Sequence, residues 1–285
     1  DISSLPAPWF DLETDPPTQA TGWVFFSAND INGQGQIAGR AWDGNFLRAC
    51  IYDESVGFRL LPRWNEPAYY EATCWYSARS MNDNGDVCVQ MNGQPFKTYV
   101  WTPGSPHAIH VIEPASTTGT YPYGIGWNVF GVQKAEPLCV EVYEFLCDGE
   151  GGSSYSLLDT VEPSGSGANL SYVNENGAFA YPTDNGTTQT VMLYVPYQGR
   201  HTVRQSTGAL LEWPAIGLRA NDSGDFVYNL DSVPYLYRYG ENRSYRLYDP
   251  ADTYTKSTLF ASDNGKLKDA TKGVYYAVVS DDDVA

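Results

Sequence analysis

No stretch of this chain approaches the roughly 20 consecutive apolar residues that a helix needs to cross a bilayer, so membrane insertion is not expected. Positive charge is scarce. Lys and Arg number 17 against 34 Asp and Glu, a formal net charge of -17. A field of that sign repels phosphate backbones and acidic membrane surfaces, which excludes nucleic acid as an expected partner. Histidine is rarer still, with three in 285 residues. His107 and His110, in "SPHAIHVIEP", are expected on the surface of an outer strand rather than as a metal pair. No CxxC or CxxCH occurs, so zinc and c-type haem are unsupported. Phosphate loops, nucleophile elbows and His-Glu-x-x-His are absent as well, so no catalytic residue, metal or other cofactor is assigned.

Cysteine is present but unbalanced. Cys50, Cys74, Cys88, Cys139 and Cys147 make an odd count, so at least one thiol stays unpaired within the chain. If "CVEVYEFLC" is one straight strand, Cys139 and Cys147 stand about 26 Å apart at about 3.3 Å per residue, too far for a disulfide. Tyr (22) and Trp (8) are abundant, and Gly, Asn, Asp and Ser recur as hairpin formers. That composition suits an extracellular β protein. The chain begins at Asp1 rather than Met, as expected if a leader has been removed.

One phrase returns along the chain: "INGQGQIAG" at 31, "MNDNGDVCV" at 81, "VNENGAFAY" at 173, "ANDSGDFVY" at 220 and "ASDNGKLKD" at 261. Aligned, it reads Asn-x-x-Gly-x-hydrophobic. The Asn positions are Asn32, Asn82, Asn174 and Asn221, with Ser262 in the last copy; the Gly positions are Gly35, Gly85, Gly177, Gly224 and Gly265. A type I turn takes Asn, Asp or Ser first and Gly fourth, the Asn side chain capping amides two residues on. The Gly then supplies the left-handed conformation of a following bulge. "NDNGD" also looks like a calcium loop, but the acid that should complete the oxygen set has no constant position, so calcium is the lesser reading.

The Gly positions are spaced 50 residues from 35 to 85, 47 from 177 to 224 and 41 from 224 to 265. The 92-residue gap from 85 to 177 leaves room for a degenerate copy, "YGIGWNVFGVQ" at 123–133, making six repeats. Two further strand-like segments follow each hairpin, such as "FLRACIYDE" then "FRLLPR". Four strands per period of about 40–50 residues are the signature of a propeller blade. The expected fold is all-β: a six-bladed β-propeller of four-stranded blades in a single domain, 1–285. The blades fall at about 17–66, 67–116, 117–163, 164–207, 208–251 and 252–285. The last lacks a fourth strand, and residues 1–16, "PAPWFDLETDP" included, are expected to complete it and so remove a sheet edge. The same strand given to a neighbouring subunit would make rings or filaments.

The motif [Ile/Met/Val]-Asn-x-x-Gly-x-[Val/Ile/Phe], followed by "RACIYDESVGF" or "KTYVWTPGS", resembles the HAF-type extracellular repeat, best in residues 28–61 and 78–112. The usual "HAF" triplet is replaced here by "RACIYD" and "KTYVWT". The resemblance implies secretion and a propeller-like fold and brings no catalytic residues with it.

In a propeller the strand before each turn lines the channel. Arg79 and Arg219 are the two cations in these segments and are candidates for binding an anion or sugar carboxylate; Tyr76, Tyr123 and Trp127, like Trp23, are candidates for stacking on sugars. The competing expectation is ion pairing for the arginines and inter-blade packing for the rings. Asn169, Asn185 and Asn242 are glycosylation candidates, and Asn221 also sits in an Asn-x-Ser sequon. The expected function is a secreted or cell-surface scaffold for binding or self-assembly, with other extracellular proteins or glycans as partners. The alternatives are a polysaccharide hydrolase or lyase, whose paired carboxylates the sequence does not single out, and a lectin.

Overall fold

Strands supply all the regular structure in the residues that the computed structural model describes. These are 7–63, 75–163, 173–207 and 220–246, interrupted at 15, 93–95, 104–107, 113–119, 136–137, 148–152, 222 and 231–232. Among them there is no helix, hence none long and apolar enough to cross a membrane. Contacts divide the chain into two compact units, Asp1–Val161 and Glu162–Ala285.

The first unit holds three sheets. Sheet one runs from β1 (Trp9–Asp11), β2 (Thr18–Ala20) and β3 (Val24–Ile31) to β4 (Ile37–Trp42), β5 (Leu47–Asp53) and β6 (Gly57–Leu60), in the order β2-β1-β6-β5-β4-β3. Sheet two comprises β7 (Tyr76–Met81), β8 (Val87–Met91), β9 (Lys97–Thr102) and β10 (Ala108–Ile112), paired in sequence. Sheet three comprises β11 (Thr120–Ile125), β12 (Val129–Ala135), β13 (Leu138–Cys147) and β14 (Ser153–Val161), again in sequence. Strands consecutive in the chain pair antiparallel in β3–β6, β7–β10 and β11–β14.

Side-chain alternation explains how the three sheets stack. On β8, Val87, Val89 and Met91 join Tyr99 and Trp101 of β9 in a cluster with Ala38, Ala49 and Ile51 of sheet one. Cys88 and Val100 point the other way, into a cluster with Ile125, Phe130, Val132 and Phe145 of sheet three. A sheet covered on both faces needs apolar residues in both phases, which is why "VCV" reads as a continuous run and every residue of β8 is buried.

The second unit contains sheet four, β15 (Phe179–Asp184), β16 (Thr188–Val195) and β17 (Gly199–Thr207), and sheet five, β18 (Phe226–Leu230), β19 (Val233–Arg238) and β20 (Arg243–Arg246). Ala180, Val191 and Leu193 of sheet four pack against Phe226, Tyr228, Tyr235 and Tyr237 of sheet five. The expected first strands of the fourth and fifth repeats, and the whole sixth repeat with Gly265, lie outside the described residues.

The N-terminal strand departs from expectation. Rather than serving as the fourth strand of a last blade, β1 is the fifth strand of sheet one. It runs parallel to β6, with Trp9 opposite Phe58, and its other edge is taken by β2. The reason lies in its side chains. Trp9 stacks on Phe58 at 4.3 Å. Asp11 receives a two-pronged bond from Arg48 at 2.7 and 3.0 Å, and Glu13 binds Arg63 Nε at 2.6 Å. Matching "WFDLE" to outer strands by apolar pattern overlooked these two acids. Both edges of β1 are filled from its own chain.

Gly57 makes room for this strand. Its φ is +98°, and an added Cβ would stand 2.7 Å from the Pro8 carbonyl oxygen, which accepts the Phe58 amide at 2.9 Å. Gly57→Ala is expected to cost about 2 kcal/mol through left-handed strain and displacement of Pro8. Faster hydrogen exchange at the Phe58 amide would accompany it; unchanged exchange would contradict this account.

Candidate functional site

The repeated phrase builds one device four times. The Gly amide donates to the carbonyl of the turn Asn at 3.0 Å for Gly35 and Gly85 and 2.9 Å for Gly177 and Gly224. Each of these glycines has φ between +77 and +85°. The Asn Oδ1 accepts the amide four residues on, at 2.9 Å from Gln36, 2.8 Å from Asp86, and 2.7 Å from both Ala178 and Asp225. The Nδ2 group reaches further. Asn32 donates to the Asn82 carbonyl at 3.0 Å, Asn82 to the Gly126 carbonyl at 2.8 Å, and Asn174 to the Asn221 carbonyl at 2.6 Å. One amide therefore caps its own turn and ties it to the next repeat. The first run stops at Gly126, in the degenerate copy, which has no side chain to donate. All four Asn are buried. Asn221, held this way, is a poor glycan acceptor.

A second repeated feature sits three residues before the turn position. Register shifts fall between Ala78 and Ser80, between Ala28 and Asp30, and between Pro122 and Gly124. They mark Arg79, Asn29 and Tyr123 as bulged residues on the first strands of the three sheets, and a bulge re-aims its side chain. Asn29 donates to Ser77 Oγ at 3.0 Å and to the Ala78 carbonyl at 2.5 Å. Arg79 donates from Nε to Gln90 Oε1 at 2.9 Å and lies 6.0 Å over the Trp75 ring. Counting from the turn Asn, Arg219 is one residue closer than Arg79, so the two are not equivalent in the repeat; Arg219 itself lies outside the described residues.

The other sequence candidates part company. Tyr76 is 2% exposed inside the cluster between sheets one and two, so its ring has no face open to a sugar. Trp127 is exposed at the tip of the β11–β12 hairpin, where the Gly126 amide donates to Val129. Tyr123 is placed by its backbone alone. Of the glycosylation candidates, Asn169 lies outside the described residues. Asn185 is exposed at the β15–β16 turn and Asn242 at the β19–β20 turn. Both use their Oδ1 locally, Asn185 for the Thr188 amide at 2.8 Å and Asn242 for Tyr237 Oη at 2.9 Å.

A residue that sequence reasoning missed is Tyr197. The β16–β17 turn closes through the Gln198 amide on the Val195 carbonyl at 3.1 Å, with Pro196 second and Tyr197 third. Tyr197 has φ +63° where such a turn asks for Gly or Asn, and it is 66% exposed. Beside it, Gln198 Oε1 accepts from Tyr239 Oη at 2.6 Å, and the Tyr239 ring meets His201 edge-on at 5.7 Å. Tyr197 thus presents an exposed ring on a turn whose next residue, Gln198, is held by Tyr239. The signal was legible as "PYQG", a turn sequence with Tyr in the glycine slot.

Chemical reactivity is muted elsewhere. Burial pushes the thiols of Cys50 and Cys88 far up, so neither is a nucleophile, and no disulfide holds them or Cys139, all three buried. β13 carries Cys139 and Cys147 as one continuous strand. Glu141 accepts from Lys134 Nζ and Tyr143 Oη between sheets two and three; burial and that acidic partner push the Tyr143 hydroxyl up. Hydrogen bonds from Gln36 and then Ser55 hold Asp53 down to about 2. Burial raises Asp86, which sits beneath its turn with the Asn82 amide on its carboxylate at 2.9 Å. Among the described residues no three His, Cys, Asp or Glu side chains gather as a metal site.

No family model matches the chain, and no curated protein does. Among solved structures it is similar to a prolyl endopeptidase, with a TM-score of 0.48 and 13% identity over 81% of this chain and 37% of that one. It is similar also to prolyl oligopeptidase B of Galerina marginata, with a TM-score of 0.49 and 12% identity over 80% of this chain and 35% of that one. The chain thus spans little more than a third of the length of these peptidases. A third likeness is to the SapL1 lectin in complex with alpha methyl fucoside, with a TM-score of 0.39 and 12% identity over 86% of this chain and 97% of that one. Identities this low transfer no residue roles.

Proposed function

We propose that the chain is a secreted six-bladed β-propeller, akin to HAF-type repeat proteins, whose work is non-catalytic binding of glycans. Tyr197 carries the reading. A tyrosine held at φ +63° and 66% exposed costs the fold about 1 kcal/mol, and such strain persists where function needs it. The tip supplies an exposed ring, and the turn's next residue, Gln198, carries an amide bonded to Tyr239 Oη; a ring suits a sugar's apolar face and polar groups its hydroxyls. Five successive sheets support the propeller reading: four meander through their own repeat's strands, and the first does so through β3–β6 with β1 and β2 added at the β6 edge; the sixth blade belongs to residues 252–285 as an expectation from sequence.

The test is a Tyr197→Gly variant assayed for saturable binding to a panel of neutral and acidic oligosaccharides. Binding should fall at least tenfold while thermal stability stays level or rises, by up to about 1 kcal/mol, because glycine relieves the strain. A variant that binds as the wild type does would refute the reading, as would a wild-type chain that binds no member of the panel.

A further inference from the structure

We propose that the outer seam between sheets four and five binds the acidic group of a carboxylated or sulfated glycan, held by Arg204, Arg246 and His201. This deepens the glycan-binding reading by naming a ligand class, but it stands on residues other than Tyr197.

The seam is built by strand register. Arg204 of β17 lies across the ladder from Val191, and His201 from Leu193; both partners belong to the cluster that packs against sheet five. On the other side Arg246 of β20 lies across from Tyr235, and Ser244 from Tyr237. Tyr235 and Tyr237 belong to the same cluster. Arg204, His201, Ser244 and Arg246 therefore share the facing sides of the two sheets, at their outermost strands.

Three observations point to an anion. First, charge: β17 and β20 carry Arg200, Arg204, Arg243 and Arg246 and no acid, in a chain of net charge -17. Arg204 and Arg246 are exposed, and among the described residues neither is ion-paired with a carboxylate. Two described acids near these strands are engaged: Asp225 holds Arg238 at 3.0 Å, and Glu241 accepts from Tyr245 Oη. Second, preorganisation: the Arg204 guanidinium lies 4.3 Å over the Tyr235 ring, which itself stacks on Tyr228 at 5.3 Å. Stacking fixes the plane of the guanidinium and leaves its edge free to bond a carboxylate or sulfate in two-pronged fashion. Third, an orphan: His201 Nε2 is buried without a hydrogen-bond partner. In the tautomer protonated there, it is a donor lacking its acceptor, a debt that an anionic oxygen would settle.

The overall negative field does not forbid this. At physiological ionic strength charges beyond about 8 Å are largely screened, so the local arginines govern a short acidic ligand. Tyr239 connects the seam to the Tyr197 tip, through His201 on one side and Gln198 on the other. A sugar stacked at the tip would thus have its acidic substituent directed along the seam.

The experiment uses the full chain with three probes: trigalacturonate, neutral galactotriose and inorganic sulfate. Calorimetry gives affinity, and the His201 imidazole signals give location. Trigalacturonate should bind saturably, shift His201, weaken with added salt, and bind at least tenfold less well to Arg204→Gln/Arg246→Gln. That double variant should bind galactotriose as the wild type does. An unchanged trigalacturonate affinity in the double variant overturns the proposal, as does a wild-type chain that binds none of the anions. Sulfate binding that exceeds trigalacturonate binding marks an inorganic-ion site and also overturns it. Failure of the glycan reading itself shows separately, as Tyr197→Gly retaining both sugars.

Discussion

Arg48→Ala should release the N-terminal segment from sheet one and cost about 3 kcal/mol. Arg48 is 5% exposed at its side chain and ties together three groups: Asp11 at 2.7 Å, Glu13 at 3.2 Å and the Leu61 carbonyl at 2.8 Å. Its guanidinium also lies 5.6 Å over Trp23. Removing it leaves two carboxylates half-sunk beside each other and an unpaired carbonyl. Asp11 and Glu13 keep 24% and 21% exposure, so solvent screens part of the loss, and the low end of the range for broken buried pairs is expected. Arg63 still holds Glu13, so the segment should loosen from Asp11 backwards. Exchange at the Leu12 amide, which donates to the Leu60 carbonyl at 3.1 Å, reports this directly. Full protection of Leu12 in the variant would refute the arrangement.

The same clamp carries a pH signature. Burial alone would raise the carboxyls of Asp11 and Glu13, but the Arg48 and Arg63 hydrogen bonds and charges outweigh it and hold both below their ordinary values of 3.8 and 4.5. A depressed carboxyl contributes stability that is complete above its unfolded value and drains away as pH falls through its folded one. The segment should therefore stay docked at neutral pH and begin to detach below about pH 4. In Arg48→Ala that acid step should shrink, because the groups that create it have lost their main partner.

How far this architecture was legible can be argued residue by residue. The turns were legible because Asn-x-x-Gly is a local code: carbonyl, amide and left-handed glycine sit within five residues. The strands of sheet two were legible because both phases of "VCVQM" are apolar. The N-terminal strand was misplaced because its determinants are non-local. Asp11 meets Arg48 across 37 residues and Glu13 meets Arg63 across 50, and no local pattern announces such a pair. Sequence leaves Tyr76 open between sugar stacking and packing for a related reason. A ring on a first strand faces either the neighbouring sheet or open solvent, and only packing decides; Ala38, Ala49 and Ile51 decided it. Tyr197 was overlooked because attention to repeats favours what recurs, while a binding residue can be the one that breaks the turn's rule.

Asn82→Asp tests the turn-to-turn ladder most severely. The substitution keeps the shape and reverses one donor. Asn82 is fully buried; its Nδ2 serves the Gly126 carbonyl at 2.8 Å and Asp86 Oδ2 at 2.9 Å, while its own carbonyl accepts from Gly85 and from Asn32, both at 3.0 Å. Alanine at this position would leave the Gly126 carbonyl, the Asp86 carboxylate and the Asp86 amide short of partners, at a cost of about 3 kcal/mol. Aspartate restores the acceptor for the Asp86 amide but sets a carboxylate against a carbonyl and a second buried carboxylate, so at pH 7 it should cost more, about 4 kcal/mol. Asp86 is already pushed up by burial. In the variant the pair will bind a proton more readily than either acid does unfolded, and a raised folded value means that the penalty grows as pH rises through it. Chemical denaturation of Asn82→Asp should accordingly show stability recovering between pH 7 and pH 5, where a shared proton restores a donor, while Asn82→Ala, with a single carboxylate there, recovers less over that range. Equal costs for the two variants at pH 7 would mean that the amide is a space-filler and the repeats are joined by their apolar faces alone. An aspartate variant costlier than alanine, and rescued by acid, would identify the hydrogen bond from turn to turn as what the sequence repeats itself to keep.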